Sequence, residues 1–404
     1  MITVYLDSQD YSVLSEENLK LDLAQIKALL LQMATSGEVR FVFSSVVVCE
    51  AAPTSEQAVN YAIKRGTLIS QLCQGNALVD PARLLEAEIR ALAARNLAPR
   101  EAVIGARDWF PMIEFDDPTP LSEAMMEQLK ADPMYQAMTR PQRREAERRI
   151  FKKGGLRPEI LRTIETATGQ VYIDAILAKL PVERSQAEVF GRYALCRATK
   201  EEATEAMRAS IRDPAWLMRW FTENPALAIP IGDIVREPGK TLGAAMRSQV
   251  EWANNLKATE GFDDGKSMWE QMPFSKKAEW EDNANRLVLG VVERVRAHLP
   301  IQFDHPATLK DVARSCPGLD ATARAMQSSI WDNLGGSRKD LPSDSQFPDA
   351  MHAMYAPYVD IFRADSYMAP HIRNQVKRHG TQVVAKLRDL PAAINDFQRN
   401  KDTP

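Results

Sequence analysis

Several things this chain lacks narrow what it can be. It has four cysteines (Cys49, Cys73, Cys196 and Cys316), scattered and with no CxxC pair. That argues against a disulfide framework or a thiolate zinc site and fits a reducing compartment. No apolar run approaches the ~20 residues needed to span a bilayer. Asp7 interrupts the opening segment MITVYLDSQD, so it does not read as a signal-peptide core. A cytoplasmic protein with no membrane partner is expected. A net charge of -3 leaves no global field to draw a polyanion, so any nucleic-acid surface must be a local patch. The patterns GxxxxGK[ST], HExxH and GxSxG are also missing, which leaves a P-loop ATPase, a zincin or a hydrolase elbow without support.

What is present is ordinary globular sequence, 45% hydrophobic and 26% charged over 404 residues. ITVYLD reads as a short strand ending in an acid. EENLKLDLAQIKALLLQMATSG has apolar residues at helical spacing, with Gly37 as a C-terminal cap. VRFVFSSVVV reads as a second strand, apolar throughout as if covered on both faces, with Glu50 near the start of the helix that follows. From 54 to 332 the pattern is helical: PARLLEAEIRALAARN is one amphipathic helix, and Trp216, Trp220, Trp252, Trp269 and Trp280 read as core anchors. Strand-like sequence returns in YVDIFRAD and TQVVAKL. The fold class expected is α/β, with a discontinuous domain from 1–53 plus 333–404 and a helical insertion at 54–332.

If the strands are parallel, acids at their carboxyl ends converge, because open parallel sheets bind ligands there. Asp7 closes the first strand, Glu50 follows the second, and Asp365 closes the strand near the C-terminus. Asp349 lies on a helix just before, with His352 on the same face. Carboxylates at contact distance cannot all stay ionised without compensation, and Mg²⁺ or Mn²⁺, which take oxygen ligands, would supply it. Imidazole suits Mg²⁺ less, so His352 is expected behind the carboxylates, and Asp344 is expected to cap a helix there. Asp360 should face away in a structural role, Glu88 should be a solvated helix acid, and Tyr5 and Tyr355 should be core.

VYLDS, SSVVVCEA and DAMHAMYAPYVDIFRAD, in that order, resemble the PIN-like nuclease family over under a third of the chain. The resemblance implies an α/β/α sandwich with a central parallel sheet, interrupted here by a large all-α insertion. It also implies that Asp7, Glu50, Asp349 and Asp365 are catalytic and metal-binding, with Mg²⁺ or Mn²⁺ supporting hydrolysis of RNA before DNA. Ala364 stands where that family often has Thr or Asn before its last acid. A haloacid-dehalogenase-type phosphatase is set aside, since Gln9 occupies the place of its second acid.

One local patch departs from the overall charge. Residues 139–158, TRPQRREAERRIFKKGGLRP, carry eight basic side chains against two glutamates. As a helix they put Arg140, Arg144 and Arg148 on one stripe, with Arg149, Lys152 and Lys153 nearby. Such a stripe is either a solvated face or a phosphate-tracking surface. Two functions remain open: a metal-dependent nuclease whose insertion selects substrate or holds a partner protein or inhibitor, as in a toxin or defence role, and a non-catalytic PIN-like module that binds a partner or nucleic acid.

Overall fold

The computed structural model describes the chain apart from residues 99–102, 105–108, 111–120, 153–154, 164–180, 195, 260, 262–264, 300, 302, 304, 336–340 and 403–404. The chain divides into two compact units, one of Met1–Pro111 with Pro214–Pro404, the other Met112–Asp213. The division by sequence character at 54 and 332 is thus not where the contacts divide, because 54–111 and 214–332 pack within the sheet-bearing unit.

That unit is α/β and built on four parallel strands. They are β1 (Ile2–Tyr5), β2 (Val39–Val42), β3 (Ile361–Arg363) and β4 (Gln382–Val384), in the order β2-β1-β3-β4. Residues 76–78 add a rudimentary fifth strand beside β2, through a parallel bridge from Ala77 to Phe43. β1 is buried throughout, as its unbroken apolar run requires of a central strand. Tyr5 stacks on Phe362 of β3, ring centres 5.0 Å apart and planes 2° off parallel. Asp360 accepts from the Thr3 amide at 2.8 Å, which locks β3 against β1 and gives that acid the structural place expected of it.

The helices used below are α1 (Ser8–Leu14), α2 (Leu21–Ser36), α3 (Ser45–Ala51), α4 (Val59–Cys73), α5 (Pro81–Ala93), α6 (Pro225–Ala258), α7 (Lys277–His298), α8 (Pro317–Leu334), α9 (Gln346–His352), α10 (Met368–Val376) and α11 (Leu390–Asp402). α2 ends on Gly37 in the left-handed conformation, φ 75°, as its sequence indicates. α5 starts with Pro81 behind the side-chain cap of Asp80. No helix among the described residues is long and apolar enough to cross a membrane.

Three local expectations are corrected. SSVVV does not continue the second strand: Ser44 accepts from the Val47 amide at 3.4 Å and starts α3, where complete burial outweighs the β-preference of three valines. Trp252 is 46% exposed and is no core anchor, whereas Trp220 and Trp269 are buried. Glu88 is not a solvated helix acid but is fully buried. Its carboxyl accepts from the Gly318 and Leu319 amides at 2.6 and 3.0 Å and from the Tyr358 hydroxyl at 2.5 Å. It thus closes the N-terminus of α8, where orphan amides and the helix dipole favour an anion. Burial still pushes it up to about 7.

Glu88→Ala therefore strands three buried donors. A loss of about 3 kcal/mol or more in chemical denaturation is expected, from the cost of about 1–3 kcal/mol per unsatisfied buried group. A loss under about 1 kcal/mol would mean water replaces the carboxylate.

The second unit is helical with a two-residue antiparallel ribbon, Phe151–Lys152 against Gly155–Leu156. Its helix Arg140–Ile150 buries none of its residues. Arg143 is pinned back onto the Tyr135 and Gln136 carbonyls.

Candidate active site

The strand order explains why the acids meet. β1 and β3 are neighbours, and the chain leaves β1 toward β2 on one side and reaches β3 on the other. This is the kind of switch point at which open parallel sheets form a crevice beyond their carboxyl ends. Asp7 follows β1 and Asp365 follows β3. Asp7 is the N-cap of α1, its Oδ1 accepting from the Gln9 amide at 2.8 Å, and Asp365 Oδ1 accepts from the amide of Met368, the first residue of α10, at 2.5 Å. Each bond fixes one carboxylate oxygen and with it the orientation of the side chain.

Glu50 was expected near the start of a helix and lies instead in the last turn of α3. An acid is disfavoured at that end of a helix. Arg236 of α6 offsets this, donating from Nη2 to the carbonyls of Cys49, Glu50 and Ala52 at 3.4, 3.2 and 2.8 Å. The carboxyl of Glu50 meets Nε2 of His352 at 2.7 Å, and Nδ1 of the same ring meets the Tyr5 hydroxyl at 2.5 Å. Tyr5 reaches Ser44 at 2.7 Å. Burial pulls His352 down, but Glu50 outweighs it and the imidazole is raised to about 9. Protonated, it donates to both neighbours. Glu50 is likewise pushed up by burial, yet His352 holds it below the usual carboxylate range.

Asp349, on the short helix α9, stands differently. Burial and then the charges of Asp7, Asp365 and Glu50 push its carboxyl up to about 8. Its carboxyl has no hydrogen-bond donor among the described residues. Asp7 is also raised, by burial first and with Glu50 adding to it. The charges of Asp7, Asp365 and Glu50 thus all reach Asp349. Among the described residues, no three of His, Cys, Asp and Glu form a ready-made ion cage. No protein-family model, curated protein or solved structure matches this chain. The geometry alone carries the functional reading.

Other expected residues are placed elsewhere. Asp344 does not cap α9, whose N-cap is Ser345; it pairs with Arg247 at 2.6 Å and is half-exposed. Tyr5 and Tyr355 are fully buried. Arg140, Arg144, Arg148, Arg149 and Lys152 are exposed in the second unit, with Arg149 3.4 Å from Glu145; Lys153 lies outside the described residues.

Sequence reading missed the pair that supports Asp7. Arg363, the last residue of β3, bridges Asp10 at 3.0 Å with both side chains buried. Asp10 Oδ2 in turn accepts from the Asp7 amide at 3.2 Å. The signal was there in DSQD, an acid three residues after a capping acid, which is the spacing of a capping box.

Proposed function

We propose that this chain is a divalent-metal-dependent nuclease whose PIN-like catalytic centre is made by its two ends, acting on RNA before DNA. The observation that carries the reading is Asp349, a partly buried carboxyl that the charges of Asp7, Asp365 and Glu50 all push up and that has no hydrogen-bond donor among the described residues. Such an arrangement is costly on its own and is relieved by a cation. The four side chains assigned to the ion all offer carboxylate oxygens, the donor type that suits Mg²⁺ or Mn²⁺. Asp7, Glu50, Asp349 and Asp365 would hold the ion. When bound, such an ion supplies activation of water and offsets charge on the phosphate.

The chain's own residues supply the rest. The amides of Gln9 and Met368 set one oxygen each of Asp7 and Asp365. The protonated His352 fixes Glu50, and Arg236 fixes the backbone that carries it. Asp349 gives up its proton on loading, which ties occupancy to pH.

A second reading has its own observation. His352 already gives Glu50 a cationic partner, so part of the cluster is compensated in place. A non-catalytic PIN-like module, binding a partner protein or nucleic acid without cutting, would need no more. The two separate when the full chain is incubated with end-labelled single-stranded RNA and DNA, in Mn²⁺ or in EDTA. Cleavage of RNA in Mn²⁺ that EDTA abolishes is expected. No cleavage, together with no heat of Mn²⁺ binding by calorimetry, would leave the second reading.

The basic helix of the second unit is proposed to bind the substrate backbone. In an Asp349→Asn background, single-stranded RNA binding should follow log salt with a slope near -0.7 per neutralised phosphate. Arg144→Ala with Arg148→Ala should flatten that slope by about 1.4, for every sequence alike. An unchanged slope would return the helix to a solvated face.

A further inference from the structure

The sheet-bearing unit holds a cavity of about 320 Å³ that shares no residue with the carboxylate cluster. It is lined by α7, α8 and the end of α10, and its size lies within the range of small-molecule sites. One wall is aromatic. Trp280 and Trp331 have ring centres 6.0 Å apart and planes 38° off parallel. The Trp280 indole is anchored by its N–H donating to the Gln327 carbonyl at 2.7 Å. Trp331 folds back over Gly335, where an added Cβ would lie 2.3 Å from its ring. The platform is therefore built into the helices and does not depend on a surface rotamer.

The polar lining is amide, and its bonding state is informative. Asn285 Oδ1 accepts from Arg324 at 2.9 Å and its NH₂ already donates to the Asp282 carboxylate, which leaves one N–H of that amide for a ligand. Arg324 is itself held by Asp320 at 2.7 Å, so its charge is already answered. The Gln327 side chain lines the cavity, and its Oε1 is buried with no donor among the described residues. That amide is not locked by its neighbours and can present either its N–H or, turned over, its oxygen. The charges around the rim balance: Lys277 stands against Glu281, Arg324 is answered by Asp320, and Asp332 lies 3.4 Å from His371.

We propose that this cavity binds a neutral, planar heterocycle of nucleobase or nucleoside size. It stacks on the indole pair and exchanges hydrogen bonds with Gln327 and Asn285, whose amides match an edge carrying both donors and acceptors. The proposal does not depend on the nuclease reading.

The full chain is titrated with adenosine, guanosine, cytidine and uridine, and with their 5′-monophosphates, by calorimetry and tryptophan fluorescence. At least one nucleoside should bind saturably and change the emission. Gln327→Met should weaken it about fivefold or more, from a lost hydrogen bond. Trp331→Leu should weaken it about fivefold or more, from lost stacking. Asp349→Asn should bind as the parent does. Gln327→Glu keeps the shape of the site, reads the same amide should Gln327→Met fail to fold, and should also lose binding. No saturable binding of any nucleoside at millimolar concentration would overturn the proposal. So would binding that Asp349→Asn abolishes and the cavity variants leave unchanged. A monophosphate binding about tenfold tighter than its nucleoside would overturn the neutral class of ligand.

Discussion

Asp349→Asn is expected to reduce Mn²⁺-dependent RNA cleavage by about 10²-fold or more, the scale of losing one group that stabilises developing charge. In the same variant the metal-free protein should become more stable at pH 8. Both outcomes follow from one carboxyl. Its folded value of about 8 lies above the ordinary 3.8, so the folded state holds a proton that the unfolded chain has released. A group raised in this way contributes full stability below about pH 4, and that stability declines as pH rises toward 8. Asparagine keeps the shape and removes the titration. The gain at pH 8 should be on the order of 2 kcal/mol, well below the full conversion of the shift, because the side chain is partly exposed.

His352 pushes the same way: raised to about 9, its contribution is present below about pH 6.5 and lost as pH rises through 9. Metal-free stability should therefore fall from mildly acid to alkaline pH, less steeply in Asp349→Asn, and added Mn²⁺ should restore it only in the parent. Cleavage within a factor of about 10 of the parent would remove Asp349 from the catalytic set. A pH profile identical to the parent's would mean that its carboxyl is solvated.

Sequence alone made the sheet edge legible because the cues there are local. ITVYL and IF are β-branched, aromatic or aliphatic, and an acid follows each within three residues. Strand, helix, strand at one end with strands at the other implied a parallel sheet drawing on both termini. The signals that misled were those that burial overrides. Three valines after VRFVF read as strand, and only two serines hinted at the cap that turns them into α3. Glu88 lies between Leu84 and Leu92 at helical spacing, on the buried face of its helix, so the pattern itself pointed to burial against the usual preference of an acid for solvent. Nothing local shows that the N-terminus of a helix some 230 positions later needs an anion, which is the sequence separation of its bonds to Gly318 and Leu319. Arg363 was hidden for a related reason. A basic residue ending a strand reads as a solvated edge until a partner on another element is known.

That partner sets the remaining large effect. Arg363→Met should cost about 3–5 kcal/mol at pH 8, the usual loss when one member of a buried ion pair is removed and the other is left unpaired. Asp10 is 2% exposed and, among the described residues, would keep the Asp7 amide alone as a donor. The parent pair is itself not fully satisfied, since Arg363 Nε and Nη1 are buried without partners among the described residues. Replacing both residues, Asp10→Asn with Arg363→Met, should therefore restore much of the loss. The cost should also depend on pH. Burial pushes Asp10 up to about 7, with Arg363 holding it down in part. Near pH 5 the carboxyl is protonated, the guanidinium has no anion to answer it, and Arg363→Met should cost little. A cost equal at pH 5 and pH 8 would show that the arginine acts through packing and not through charge. The consequence reaches the acid edge, because Asp10 positions the Asp7 backbone. At pH 8 the single variant should lose cleavage along with stability, and the double variant should recover stability before it recovers cleavage.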